Sequence, residues 1–529
     1  MAFKDDEKPP TTNAGSTKGL VTIKPVKYFK EDASLAVDTV TAEVEINATS
    51  STAVREGLDL VAVLDVSGSM DGDRIDSMKK AMTFVLMKLT PVDRLSIVTF
   101  SDGAARLNPL RSMTPAAQND LKTLVNGLRA GGGTDIKAGL DAGLAVIAGR
   151  VHTKARTANI FLMSDGHQTS GDARQVDPGE VAVYTFGFGK GTDHQLMSDI
   201  ARSSPGGTFS SVLDGSKVSL PFSQLLGGLL TVVAQDVQLT VTPKTEAGDV
   251  DTVAVAPGTD YTKHTDAATG VVTIKFGTLF AGEGRRVVIT LALKEMSSSQ
   301  TDEYDAALAE AQHSFTAQGR SRDRQVPRDI QIRRTPTPSR APGAGGTARQ
   351  VQAEIARRRH ADAIRQARVL ADGEDLDGAR CALLDAEDAL EEDAVVLDDG
   401  GRLVDSLRSE LLQLMTLMDT QELYEAQGRP YALAAETSHG RQRYAARGDD
   451  DDDGDGGVRL FATPRMDTYR EQARNFEKDP AAPVPSADED VKQEIMANPL
   501  SAISTELAYY LRNAIEALQA IEKIVAPST

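Results

Sequence analysis

The stretch "VAVLDVSGSMDG", residues 61–72, ends an apolar run on Asp65 and then places two hydroxyls, Ser67 and Ser69, at alternate positions around Gly68. A carboxylate fixed by a strand end, with serines on the bend beyond it, can aim several oxygens at one point. "GGGTDIKAG" (131–139) sets Thr134 at a helix start after a glycine run, and "FLMSDG" (161–166) ends another apolar run on Asp165. Asp65, Ser67, Ser69, Thr134 and Asp165 form an all-oxygen set. Such a set suits a hard divalent cation, Mg2+ or Mn2+, which takes few protein ligands and keeps several waters. The D-x-S-x-S stretch alone serves equally as a helix cap, with Asp73 or Ser69 capping the helix that follows. The convergence of three strand-end loops is what favours the metal.

Other stretches carry less chemistry. "GFGKGTDH" (187–194) does not match G-x-x-x-x-G-K-[ST] and reads as a strand-to-helix turn. Asp449, Asp451 and Asp453 open like a calcium loop, but the twelfth position is Leu460, so the run reads as solvated acids. The seven histidines show no paired spacing, and His167 reads as a rim residue near Asp165. No G-x-S-x-G elbow is present. The arginines between Arg320 and Arg359 lack interleaved aromatics, which disfavours nucleic acid.

The elements that must position the five residues follow from periodicity. Residues 1–19 are polar and broken by prolines, and are expected to be disordered. Residues 20–54 alternate apolar and polar residues as half-buried strands do. Over 55–233, short unbroken apolar runs ("LDLVAVLD", "RLSIVTF", "ANIFLMSD", "VAVYTFGFG", "GTFSSVLD") are separated by helical patterns near 74–89, 116–129 and 135–149. That arrangement predicts an α/β, doubly wound parallel sheet covered on both faces. From 234 to 335 the period returns to two, predicting the rest of an antiparallel β-sandwich. A linker (336–348) follows, and then a helical hairpin or bundle over 349–428, with leucines such as Leu407 and Leu411 along one face. Residues 429–500 are expected to be mostly loop with an acidic run, and 501–525 a C-terminal helix. In an open parallel sheet, ligands bind beyond the carboxyl ends of the strands, where Asp65 and Asp165 lie.

At 529 residues the chain is long enough for several domains, and its net charge of −19 disfavours binding to nucleic acid or to anionic membranes. The single cysteine, Cys381, excludes an internal disulfide and a cysteine-rich zinc finger. The N-terminus lacks an apolar core and the most apolar run is about half the ~20 residues of a membrane span, so the expectation is an intracellular, cytoplasmic protein.

Segment 58–231, through Asp65, Ser67, Ser69, Thr134 and Asp165, resembles the von Willebrand factor type A domain and its metal-ion-dependent adhesion site. The resemblance implies that these five residues supply direct or water-bridged ligands, and that an acidic side chain of a partner protein completes the coordination. The whole chain is similar to plant proteins that join this domain to flanking strands and C-terminal helices. Several of those carry an N-terminal RING finger and act as ubiquitin ligases, whereas one cysteine cannot build a RING. The expectation is an intracellular, non-enzymatic adaptor that engages an acidic residue of a partner. The alternative is a substrate-recognition component of a ubiquitin ligase assembly. Oligomers through the helical region are compatible with either.

Overall fold

The computed structural model describes residues 3–5, 7–11, 15–213, 219–296, 302–322, 326–339, 346–397, 402–448 and 459–525. At its centre, Gly57–Asp65 (β1) is buried at every position. It pairs in parallel with Arg94–Phe100 (β2) on one side and Arg156–Ser164 (β3) on the other. Ala182–Phe188 (β4) and Phe209–Val212 (β5) extend the sheet in the order β5-β4-β3-β1-β2, and short antiparallel strands border β2. Leu58, Leu60 and Leu64 of β1 join a core with helices Asp73–Lys88 (α1), Pro115–Asn126 (α2) and Ser219–Leu229 (α5). Val61 and Val63 point to the other core, with Ile136–Ala148 (α3) and His194–Ser203 (α4). A strand with both faces covered must be apolar on both, which is why these runs show no alternation. The sheet is doubly wound, as expected, and strand order reverses beside β1.

This unit is inserted in a β-sandwich. Asp38–Ala48 pairs antiparallel with Gly284–Leu293, so a strand preceding the parallel sheet is zipped to one that follows it. The second sheet, built around Val232–Pro243 and Tyr304–Ala317, shares one core with the first through Val44, Ile46, Leu239 and Phe276. Entry and exit of the insert meet where Glu56 N donates to Val232 O, 3.1 Å away.

Helices Gly346–Asp372 (α6), Leu376–Leu397 (α7) and Arg402–Thr416 (α8) bury Leu383, Leu407, Leu411 and Leu414 in a common core. Two expectations require correction. Residues 429–500 are not mostly loop: they contain helices Arg429–Arg441 (α9), Pro464–Lys478 (α10) and Ala487–Ala497 (α11). From Pro430 to Arg441, α9 is buried on all sides, so it has no polar face and no 3.6-residue stripe to read. Its charges are paired instead, Glu436 with Arg368 among others. α10 and α11 carry ordinary caps, Thr463 before Pro464 and a Ser486/Glu489 capping box. Nor are residues 1–19 simply a loose tail. Asp5 is buried, pairs with Arg106 and accepts from Leu110 N at 2.7 Å, and Glu7 accepts from Ser112 N at 3.1 Å. Two acids there satisfy backbone donors at the sheet's edge, an interaction that leaves no hydrophobic trace. The acidic run 449–455 lies outside the described residues, and the last helix is Ser501–Val525 (α12). Among the described residues no helix is long and apolar enough to cross a membrane.

After α9 the chain runs through "RQRYAAR" (441–447) between the three regions. Arg443 is fully buried and donates to both carboxylate oxygens of Glu283 in the sandwich, at 2.8 and 2.7 Å. It also donates to Tyr184 Oη and Gly206 O in the parallel-sheet domain, each at 3.0 Å. Glu283→Gln removes the charge that offsets both Arg443 and Arg285. Breaking a buried pair by removing one partner costs about 3–5 kcal/mol, and urea denaturation of the variant is expected to show a loss of that order.

Burial lowers His194, His313 and His439 each to about 4. An unfolded histidine titrates near 6.5, so between those values the unfolded chain binds protons that the folded one refuses. The contribution of these histidines to stability is therefore expected to be flat above about pH 7, to fall as pH drops through that window, and to stop falling below about 4. The slope is at most roughly 1.4 kcal/mol per pH unit for each histidine. Urea midpoints at pH 7.5, 6 and 5 measure it; equal midpoints would contradict the assignment.

Candidate metal centre at the sheet edge

All five oxygen-bearing residues lie at the C-terminal edge of the parallel sheet, on the loops where strand order reverses. Asp65 is the last residue of β1, and Asp165 follows the last residue of β3. Ser67 N donates to Asp65 Oδ1 at 2.8 Å, folding the loop back over the strand end. Ser67 Oγ and Ser69 Oγ are 3.0 Å apart, and Ser69 Oγ donates to Asp165 Oδ1 at 2.7 Å. A continuous chain of contacts thus runs from one carboxylate to the other. Thr134 enters from the loop before α3. Its backbone is tied to Thr169, with Thr134 N donating to Thr169 Oγ1 at 2.9 Å and Thr169 N to Thr134 O at 2.8 Å.

Two glycines make the approach possible. Gly132 has φ +86° and its carbonyl accepts from Gly68 N at 3.0 Å, joining the first and second loops directly. A Cβ on Gly132 would also come within 2.6 Å of an Asp102 carboxylate oxygen. A Cβ on Gly166 would stand 3.4 Å from Ser69 Oγ and 3.7 Å from Thr134 Oγ1. The absence of a side chain at 166 leaves the space between those hydroxyls clear.

The hydroxyls are not used as helix caps. α1 starts after Gly72 with no side-chain cap, and Ser67 caps nothing with its side chain. That removes the alternative reading of the D-x-S-x-S stretch. Asp65, Ser67, Thr134 and Asp165 are buried, and Asp65 is pushed up by that burial, the Asp165 carboxylate adding to the effect against hydrogen bonds from Ser164 and Ser67. Two buried carboxylates and three hydroxyls around one space fit a hard divalent cation, because the ion supplies the charge the carboxylates lack.

Sequence reasoning missed three neighbours. Ser164 Oγ donates to Asp65 Oδ2 at 2.6 Å, Thr169 braces Thr134, and Arg74 Nη1 donates to Asp165 Oδ2 at 2.6 Å. Only Ser164 left a signal, as a polar residue inside a buried strand. His167 stays on the rim, with its side chain 72% exposed. Within "GFGKGTDH", Asp193 caps α4 by accepting from Leu196 N, so a carboxylate sits where a phosphate loop would need open N–H groups.

A doubly wound sheet with such loops over its first strand defines the class. Residues 59–223 are a von Willebrand factor type A domain, a protein-interaction module: the family model of that description matches them. A second model, described as "VWA / Hh protein intein-like", matches residues 401–475, which begin in α8 and end in α10. The chain is 28% identical over 240 residues to "E3 ubiquitin-protein ligase WAV3" of Arabidopsis thaliana, covering 45% of this chain and 31% of that protein. It is 30% identical over 254 residues to "Uncharacterized protein sll0103" of Synechocystis, covering 46% of this chain and 59% of that protein. The chain therefore spans about a third to three-fifths of these curated relatives. Among solved structures, "von Willebrand factor type A from Catenulispora acidiphila" aligns with TM-score 0.57 and 18% identity over 77% of this chain and 91% of that one. The "ArnB paralog VWA2 from Sulfolobus acidocaldarius" aligns with TM-score 0.50 and 15% identity over 79% and 97%. Both alignments reach well beyond the parallel sheet, so the likeness in fold extends past the inserted domain.

If the five residues hold an ion, Mg2+ raises the melting temperature of the wild type over its value in EDTA. Asp65→Asn keeps the shape of the side chain but removes its charge, and is expected to abolish that rise while melting within a few degrees of wild type in EDTA. An equal Mg2+ response in both proteins would place the ion elsewhere.

Proposed function

We propose that this chain is an intracellular protein-binding adaptor. Asp65, Ser67, Ser69, Thr134 and Asp165 hold one Mg2+ or Mn2+, and an acidic side chain of a partner protein completes the ion's coordination. The observation that carries this reading is the chain of contacts linking two strand-end carboxylates through two serines that cap no helix. When bound, the ion supplies a Lewis-acidic position to which a carboxylate can attach. The protein's own groups do the rest: Ser164 and the Ser67 amide orient Asp65, Ser69 and Arg74 orient Asp165, and Thr169 holds the Thr134 loop in register. Neither a nucleophile elbow nor a histidine positioned as general base accompanies the cluster, so the reading is binding without turnover.

A second reading, favoured by the 28% identity to a protein named as a ubiquitin ligase, is recognition of substrates within a ligase assembly. With one cysteine, this sequence would contribute no RING of its own and would select the protein to be modified.

Partner capture separates these readings. The full chain, immobilised and exposed to extract with Mg2+ or with EDTA, is expected to retain partners in Mg2+ that are lost in EDTA and with Asp65→Asn. Ubiquitin-conjugating enzymes among them would select the second reading. A partner set unchanged by EDTA and by the substitution would refute a metal-dependent interaction.

A further inference from the structure

We propose that Arg74 sets what this centre selects: its guanidinium weakens the hold on the divalent ion and strengthens the hold on the carboxylate that completes the ion's coordination. The inference rests on the metal reading above and goes beyond it, because a cation cannot be a ligand and the five-residue set gives it no role.

The geometry is specific. α1 begins at Asp73, directly after Gly72 with φ +82°, so Arg74 occupies the first turn beside the 65–69 loop. Side chains on a helix tilt toward its N-terminus, and here that direction leads back over the centre. Arg74 Nη1 donates to Asp165 Oδ2 at 2.6 Å and lies 3.5 Å from Ser69 O. The Asp165 side chain has no exposure, whereas that of Arg74 is 31% exposed. The guanidinium therefore reaches a buried ligand oxygen from a side chain that is itself partly exposed. Guanidinium also presents several donors in a plane and matches a carboxylate in two-point contact.

Counting charge gives both effects from one residue. With both carboxylates counted as ionised, Asp65, Asp165 and Arg74 together sum to −1. A divalent ion takes the sum to +1, so the loaded centre attracts an anion. With a neutral residue at 74, the empty centre is at −2 and the loaded one at zero. The ion then enters a more negative site and binds tighter, while an arriving carboxylate meets no net positive charge. A unit charge a few ångströms away in a partly solvated site changes either affinity by about tenfold, and salt reduces the effect. Arg74 exchanges metal affinity for selectivity toward acidic partners.

The test uses Mn2+ and acetate as probes of the full chain. Mn2+ uptake is followed by water-proton relaxation, and acetate is then titrated into the loaded protein, where its replacement of bound water lowers the relaxation rate. Arg74→Gln is expected to bind Mn2+ about tenfold tighter at low salt and to require several-fold more acetate, with both differences shrinking in high salt. Arg74→Lys keeps the charge and is expected to stay near wild type on both measures. A residue that only supported the fold would weaken both when replaced. Circular dichroism confirms folding, and Arg74→Met, which keeps the aliphatic length, repeats the test should the glutamine variant not fold. Asp65→Asn separates the two levels of the argument. If it takes up Mn2+ like wild type, the metal reading fails. If it does not, but Arg74→Gln binds Mn2+ no tighter or acetate no more weakly than wild type, the centre stands and the role of Arg74 is overturned.

Discussion

The pairing of Arg443 with Glu283 is the constraint on which the rest of the architecture depends. Neither side chain reaches solvent, and the guanidinium also serves Tyr184, Gly206 and the Thr278 carbonyl. One residue from the helical region thereby satisfies acceptors in both the sandwich and the parallel-sheet domain. The price of burying a guanidinium is high unless its donors are filled, and here the partners come from three stretches of chain, around Tyr184, Gly206 and Thr278–Glu283. Neighbouring residues repeat the pattern: Arg441 donates to Asp260 O and Ser204 O, and Arg447 pairs with Glu410 while Ser211 bridges to its backbone. Such contacts are directional, so they set the register of the three regions more sharply than apolar packing would.

That rigidity bears on the candidate metal centre. A domain inserted through Glu56 and Val232 could pivot about those two crossings alone. The arginine segment adds a third attachment along β4 and β5, and α10 packs on α5 with Met466 in the same core as Leu225 and Leu226. The edge bearing Asp65 and Asp165 is accordingly presented in a fixed orientation relative to the sandwich and helices. A partner engaging that edge, as proposed, would meet one composite surface rather than a mobile domain.

How much of this was legible in the sequence follows from what hydrophobic patterning records. The strands of the parallel sheet and sandwich, the leucine faces of α7 and α8, and the loops bearing Asp65, Ser67, Ser69, Thr134 and Asp165 could be read because each repeats a period or ends an apolar run. Residues 441–447 could not. Four polar residues in seven look like a surface loop to any scale that scores arginine as exposed, and only the folded partners reveal them as buried. α9 escaped for the complementary reason, being covered on every side. Arg74 escaped because the first turn of a helix tolerates any charge, and its role depends on Asp165, which is 91 residues away.

A second cluster shows why residue type alone does not make a metal site. Among the described residues, His360, Glu410 and His439 are buried with ligand atoms close enough to share an ion. Both imidazole Nε2 atoms lie 2.8 Å from the same Glu410 oxygen, and Arg447 holds the other oxygen. Arg357 Nη1 faces His439 Nδ1 at 3.1 Å, and a guanidinium can only donate. His439 Nδ1 is therefore the acceptor, and its proton resides on Nε2, the atom an ion would need bare. Burial, with the Arg357 guanidinium nearby, keeps His439 neutral, while Arg447 and the hydrogen bonds of the two imidazoles outweigh burial and hold Glu410 ionised. Here the atoms an ion would need already bond one another, and a divalent ion would add charge beside two arginines. At Asp65 and Asp165 the balance runs the other way: the serine oxygens keep lone pairs for a cation, a single guanidinium offsets two carboxylates, and the geometry is left one positive charge short.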